Sequence, residues 1–338
     1  MPVPSELQNY AMKLGFPESE TLGRILSILF EDGDSRRLAQ AMPGSVSELS
    51  TRTGLSESRV REVIAKLKRE GAVSRILSQG ETYRLFPAMI ELRDSTVISA
   101  ECPPELFSLW EKLIMEDMPE IIPVLKQFNI PPMLRVIPVE ETVESLNRVL
   151  DVDSARSLVR DARLITAIPC PCRTQSHMVG RGESCRAPRG VNLCMQINGF
   201  AEATLDRGLG ERLTADEALR RIALAEEAGL VHTVRNNVKE DMFMCNCCSC
   251  CCTAMLMLKT FGYDSAYAPS RFRAEVDETL CTGCGACEAR CQFDAITVDE
   301  VASISTEKCF GCGNCVLTCP TEALILEEIR PLEFIRNT

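Results

Sequence analysis

Eight cysteines between Cys281 and Cys319 constrain this chain more than any other feature. They read CTGCGACEARC and, after a spacer of seventeen residues, CFGCGNCVLTCP. Each run has the spacing C-x2-C-x2-C-x3-C. Cys281, Cys284, Cys287 and Cys291 form the first; Cys309, Cys312, Cys315 and Cys319 form the second. Zinc sites pair two separated C-x2-C knuckles, whereas here four thiols crowd into eleven residues, twice. A four-iron cube answers the pattern better. It needs one thiolate at each iron corner. Three cysteines two residues apart can wrap three corners, and a remote cysteine must reach the fourth. Gly283, Gly285, Gly311 and Gly313 lie between the ligands, where glycine admits positive φ and close backbone approach.

The segment is also an internal repeat with an offset of 28 residues. Val276 matches Ile304, the cysteines match in order, and Asp294-Ala-Ile-Thr-Val matches Glu322-Ala-Leu-Ile-Leu. Each half reads as strand, ligand loop, short helix, strand. Residues 272–328 thereby resemble the two-cluster bacterial ferredoxins. The resemblance implies two [4Fe-4S] clusters with exchanged ligands. Cys319 would complete the cluster of Cys281, Cys284 and Cys287, and Cys291 that of Cys309, Cys312 and Cys315. One departure is Gln292, where that family usually has proline.

The rest of the chain must suit such a module. At 338 residues it should hold two or three domains. Its formal charge of −11 excludes the clusters, which add more negative charge. Such a chain repels nucleic-acid and membrane phosphates overall and favours partners with basic docking patches. Nineteen cysteines without a secretory signal place it in a reducing cytoplasm. No apolar run reaches the length of a membrane span. With only His177 and His232, haem held by two axial histidines is not expected.

Residues 1–95 read as a helical domain. Leu22, Ile25, Leu26 and Leu29 follow helical spacing. Ser45-Val-Ser-Glu48 has the spacing of a capping box, and Ser56 can cap a second helix that buries Val60, Val63, Ile64 and Leu67 before Gly71. Val73–Leu77, a Gln79-Gly80 turn and Thr82–Phe86 suggest a two-stranded wing. Residues 20–88 resemble a winged helix-turn-helix, with Arg59, Arg61, Lys66, Lys68 and Arg69 on the second helix. From Ser45 to Asp94, however, nine basic residues face seven acidic ones, a weak excess for a DNA-binding surface. The same residues suit a solvated protein-docking face.

Residues 96–165 read as linking helices, interrupted at Pro119 and Pro123, with Val143, Leu146 and Leu150 on one further helix. Isolated Cys102 reads as an ordinary thiol. Residues 166–262 read as a helical, cysteine-rich domain. Cys170, Cys172, Cys185 and Cys194 suffice for a third cluster. Cys245, Cys247, Cys248, Cys250, Cys251 and Cys252 put six thiols in eight positions and could hold a fourth, or share ligands with the first group. Thr214-Ala-Asp-Glu217 has a second capping-box spacing. Residues 130–330 look like a group of multi-cluster iron–sulfur proteins of anaerobic bacteria and archaea. The resemblance rests on Cys170-Pro-Cys172-Arg173, Ala228-Gly-Leu-Val-His232, Cys245-Asn-Cys-Cys-Ser-Cys-Cys251 and the ferredoxin-like repeat at residues 270–330.

The expected architecture is thus α+β and multidomain: winged-helix-like domain, helical cysteine-rich middle and ferredoxin-like βαβ pair. Two function classes follow. One is an electron-transfer protein or subunit serving a flavoprotein or reductase in anaerobic metabolism. The other is an iron–sulfur transcription regulator that senses redox state. No residue is assigned a catalytic role.

Overall fold

A computed structural model describes residues 1–76, 80–143, 153–237 and 242–336. Two compact units organise them. The first comprises Met1–Val124, Pro169–Glu183 and Glu202–Leu209; the second comprises Leu125–Ile168, Ser184–Ala201 and Gly210–Thr338. The four segments expected from the sequence divide the chain differently, since the cysteine-rich stretch contributes to both units.

The first unit is mostly helical, and its helix ends follow local chemistry. Ser45 and Glu48 form a reciprocal capping box at the start of Val46–Thr53, which Gly54 ends in the left-handed region. The Ser56 hydroxyl accepts from Arg59 N and opens Glu57–Glu70, which Gly71 closes. Val60, Val63, Ile64 and Leu67 recur on one face and are buried. Strands β1 (Val73–Ile76) and β2 (Thr82–Leu85) pair antiparallel beside these helices. Leu77 and Gln79, expected in the first strand and its turn, lie outside the described residues. Pro119 and Pro123 do not break the helices as expected. A π-helical turn at Leu113–Asp117 runs into Met118–Gln127, which contains Pro123.

A seven-stranded sheet organises the second unit. Its strands are β3 (Leu134–Val136), β4 (Ile165–Ile168), β5 (Cys194–Ile197), β6 (Glu211–Leu213), β7 (Val231–Arg235), β8 (Phe243–Cys247) and β9 (Tyr267–Ala268). The order is β6-β4-β5-β8-β7-β3-β9, antiparallel except at β3 and β9. Among the described residues, the cysteine-rich middle, expected to be helical, has four helices but also supplies five of the seven strands, which the expectation lacked. The reason lies in the alternation Phe243-Met-Cys-Asn-Cys247, which has the period of a strand. Met195, Met244, Val234, Ile165 and Ile197 point to one face and form a core with Ala218, Ile222, Leu158 and Val159 of two helices. Those helices are Ala155–Asp161 and Ala215–Glu227, the latter opened by the Thr214–Glu217 capping box. Leu146 and Leu150, expected on a further helix, lie outside the described residues.

The C-terminal repeat adds two short sheets. β10 (Phe272–Val276) pairs with β13 (Leu324–Glu328), and β11 (Ile296–Val298) with β12 (Ala302–Ile304), all antiparallel. The first strand of the repeat thus pairs with the last, so neither half closes without the other. Beneath β10, Asp153 is fully buried between Arg135 and Arg271, at 3.2 and 2.6 Å.

Candidate metal centres

The repeat builds two cysteine-lined cavities. Cys281, Cys284, Cys287 and Cys319 line the first, with Val298, Ala302 and Leu324. Cys291, Cys309, Cys312 and Cys315 line the second, with Ile296, Phe293 and Phe310. Each cavity thus takes three cysteines from one half and one from the other. The loops reach this shape through glycine. Gly283 and Gly311 have φ of 63° and 64°. A Cβ on Gly283 would meet the Glu300 carbonyl oxygen at 2.5 Å, and one on Gly311 would strike that of Phe272. Backbone amides also reach the sulfurs: Ala302 N–H donates to Cys281 Sγ and Ala295 N–H to Cys291 Sγ, both at 3.3 Å. Phe293 and Phe310 stack with centroids 4.4 Å apart beside the second cavity. Burial pushes the Cys312 thiol up to about 12 and raises those of Cys287 and Cys315. Such thiols stay protonated unless a metal takes the place of the proton. Four convergent sulfurs in a mostly apolar cavity fit a cubane in each place.

A second set of thiols lies on the sheet. Registers place Cys194 of β5 opposite Ile168 of β4, and Met195 opposite Met244 of β8, so that Cys194 and Cys245 are neighbours across the two strands. Cys245 stands opposite Thr233 of β7. Cys245 and Cys247 share the face turned away from the Met195–Met244 core. Hydrogen bonds with the thiols of Cys194 and Cys247, followed by burial, hold the Cys245 thiol well above its ordinary pKa. Cys247 bonds to Cys245 and Cys252, which hold it well below. Thr233 Oγ1 stands 3.4 Å from Cys247 Sγ, and Tyr267 Oη 3.2 Å from Cys252 Sγ. This is a connected string of four thiols with two hydroxyls at its edge.

A third set is compact. The sulfurs of Cys185, Cys248, Cys250 and Cys251 all lie within 4.8 Å of one another. Cys185 and Cys248 are 3.8 Å apart, and Cys250 and Cys251 3.7 Å. Hydrogen bonds from the other three, that of Cys248 foremost, hold the Cys185 thiol far below its ordinary value, while Cys251 is pushed far up.

The foursome expected from spacing, Cys170, Cys172, Cys185 and Cys194, is divided. Cys185 sits in an irregular loop against the Cys248–Cys251 turn, and Cys194 belongs to the string on the sheet. Cys170 and Cys172 belong to the first unit, at the start of helix Pro171–Met178. There the buried Arg93 guanidinium donates to Cys172 Sγ at 3.1 Å. It also donates to Gln175 Oε1 at 3.0 Å and pairs with Asp94. Cys102 lies apart, its thiol pushed up to about 12 by burial. His232 is buried on β7, with Nδ1 2.6 Å from Asn246 Oδ1 and Nε2 3.4 Å from Glu226. It serves the protein interior.

Several participants carry no signal in the sequence. Arg93 reaches Cys172 from 79 residues away, and Thr233 and Tyr267 reach Cys247 and Cys252 from 14 and 15 residues away, in each case between different elements. Gln292 had one, as a departure from the ferredoxin pattern. Its Oε1 accepts from Ser249 N and Oγ, both at 2.9 Å, and its Nε2 donates to the Gly229 carbonyl at 3.0 Å. Asn314 Nδ2 donates to the carbonyls of Gly229 and Leu230. The Ala228–His232 segment is therefore the seat on which the repeat docks.

Residues 280–323 match the family model of the 4Fe-4S dicluster domain. No curated protein and no solved structure matches the chain. With the two cysteine cavities, this match makes the chain an iron–sulfur protein that binds 4Fe-4S clusters. Among the described residues, no helix is long and apolar enough to cross a membrane.

Proposed function

We propose that this chain is a cytoplasmic electron-transfer protein or subunit of anaerobic metabolism, carrying single electrons to or from a partner flavoprotein or reductase. The observation that carries the reading is the pair of cavities, each with four cysteines drawn from both halves of the repeat. Clusters bound there supply one-electron carriers. The chain's own residues hold them rigidly. The exchanged cysteines lock the two halves together, the amides of Ala295 and Ala302 reach the sulfurs, and Phe293, Phe310 and the β-strand side chains keep water out. We place a third cluster on the string of Cys194, Cys245, Cys247 and Cys252, where Thr233 and Tyr267 would tune it by hydrogen bonding to sulfur.

Electrons would enter near the first cavity, because Cys284 is exposed whereas none of Cys291, Cys309, Cys312 and Cys315 in the second is. Asp277, Glu278 and Glu288 flank that loop in the chain, and Asp299 and Glu300 adjoin Gly283. Such a rim suits a partner with a basic patch.

The helix–turn–helix with its two strands reads as a winged-helix-like docking domain rather than a DNA reader. The basic residues of helix Glu57–Glu70 already have carboxylate partners. Arg59 pairs with Asp34 and Glu62, and Arg61 with Glu57. Lys66 pairs with Glu31 and Glu70, Lys68 with Asp206, and Arg69 with Glu101. Phosphates would have to displace every one of them.

The test follows the oxidation of the anaerobically reduced chain by a basic, one-electron-accepting haem protein at increasing salt. Rapid oxidation that slows about tenfold or more as salt screens the acidic rim supports the reading. A chain that cannot be reduced and reoxidised reversibly, or that binds a defined DNA operator with nanomolar affinity at physiological salt, overturns it.

A further inference from the structure

We propose that Cys185, Cys248, Cys250 and Cys251 hold a single zinc ion, not an iron–sulfur cube. The mutual closeness of all four sulfurs decides; the string on the sheet lacks it, since no three of its sulfurs lie within 4.8 Å of one another. Four thiolates at about 2.3 Å from one tetrahedral ion lie about 3.8 Å apart. In a cubane each thiolate caps its own iron, which spreads the sulfurs to roughly 6 Å. Here Cys185 and Cys248 are separated by 3.8 Å, Cys250 and Cys251 by 3.7 Å, and all four sulfurs lie within 4.8 Å of one another. Among the described residues, no other set of three or more cysteine, histidine or carboxylate ligand atoms is so compact. Among the cysteines of the repeat, no three sulfurs lie within 4.8 Å of one another.

The local backbone builds this tetrahedron. β8 ends at Cys247, and the chain turns at once through Ser249, Cys250 and Cys251. Cys252 N donates to the Cys248 carbonyl at 3.0 Å and closes the turn. A turn this tight brings Cys248 and the adjacent pair Cys250-Cys251 to one side, which a strand or helix could not do. The fourth sulfur arrives from the loop that precedes β5, which has neither helix nor strand between Ser184 and Leu193. That loop contributes Ala187 and Leu193 to a small core with Ala225, Leu230, Cys248 and Cys251. A core of this size does not fix a loop unaided, and an ion closed by four thiolates would staple it.

The site stands beside the second cavity of the repeat through one side chain. Ser249, between two of the ligands, donates twice to Gln292, the residue after Cys291. The ion would thus brace the seat of a cluster ligand. Zinc suits that task because it has no redox chemistry in proteins and closes its shell with four thiolates. The assignment does not depend on the electron-transfer reading, since it rests on a different set of residues.

The test is metal analysis of the full chain purified without oxygen and without added metal, with X-ray absorption at the zinc edge. The expected result is about one zinc per chain with four sulfurs at about 2.3 Å. The Cys185→Ser variant should lose the zinc, and Cys245→Ser, which alters only the neighbouring string, should keep it. Should Cys185→Ser fail to fold, the absorption spectrum of the parent chain decides alone. Zinc absent from the parent chain overturns the proposal, whether four additional irons, one ferric tetrathiolate or a disulfide takes its place. So does a zinc shell containing nitrogen or oxygen, or zinc retained by a folded Cys185→Ser variant.

Discussion

Cys319 follows its own run by three residues, yet its side chain lines the cavity of Cys281, Cys284 and Cys287. Replacing it with alanine should open one corner of that cluster only. Cys291 remains as the fourth ligand of the other cavity, with Cys309, Cys312 and Cys315. Site-resolved spectroscopy of Cys319→Ala should show a three-iron or open-corner signal from one cluster and an unchanged second. Selective damage to the cluster of Cys309, Cys312 and Cys315 would refute the exchange. Glu70 offers a residue-scale test in the first unit. Burial pushes its carboxyl up to about 6, against the nearby Lys66, and Oε2 has no hydrogen-bond partner among the described residues. A raised carboxyl favours the folded state below its unfolded value, near 4.5, and that support is lost as pH rises through 6. Glu70→Gln should therefore gain about 1 kcal/mol over the parent at pH 8, after allowance for solvent screening, and nothing at pH 4. Thermal melts at the two pH values check this, and an equal gain at both would contradict it.

At the scale of elements, Asp153 ties the main sheet to the repeat. It takes Arg135 of β3 on one side and Arg271, just ahead of β10, on the other, with all three side chains at or near full burial. Removing the buried carboxylate takes a charge partner from both arginines, while Arg271 keeps Glu328 at 2.6 Å, so the cost is about 3 kcal/mol, the low end for a broken buried pair. Asp153→Asn should lower the melting midpoint of the loaded protein by roughly 10 °C, with iron per chain unchanged before heating. A shift of a degree or less would show that the arginines find other partners. Local chemistry at this scale was legible in the sequence. The capping residues Ser45, Ser56 and Thr214 mark helix starts because a cap depends on its nearest neighbours alone. The repeat was legible because its ligand spacing and its strands recur together. The main sheet was not. Phe243–Cys247 alternates like a strand, but its cysteines draw attention to metal, and its partners β5 and β7 lie far away or across residues 238–241. Ligand grouping failed to show for the same reason. Cys185 and Cys194 are close in sequence, yet one meets a turn and the other a strand face, and only pairing across the sheet separates them.

For the molecule as a whole, eighteen of the nineteen cysteines fall in two stretches, and the structure sorts most of them into four sets with different chemistry. Two sets line cavities, one forms a string on a sheet face, and one is compact enough for a single ion. The basic residues of helix Glu57–Glu70 are paired with the chain's own carboxylates, which is why the proposed function favours a basic redox partner over DNA. The account centres on clusters held by the repeat and by the sheet. Its most direct test is iron per chain in protein purified and kept under anaerobic conditions, measured for the parent and for Cys245→Ser/Cys247→Ser. Three cubanes predict about twelve irons in the parent and about eight in the variant, with the signals of the repeat intact on reduction. About eight irons in the parent, or a count that the double substitution leaves unchanged, would contradict a cluster on the sheet.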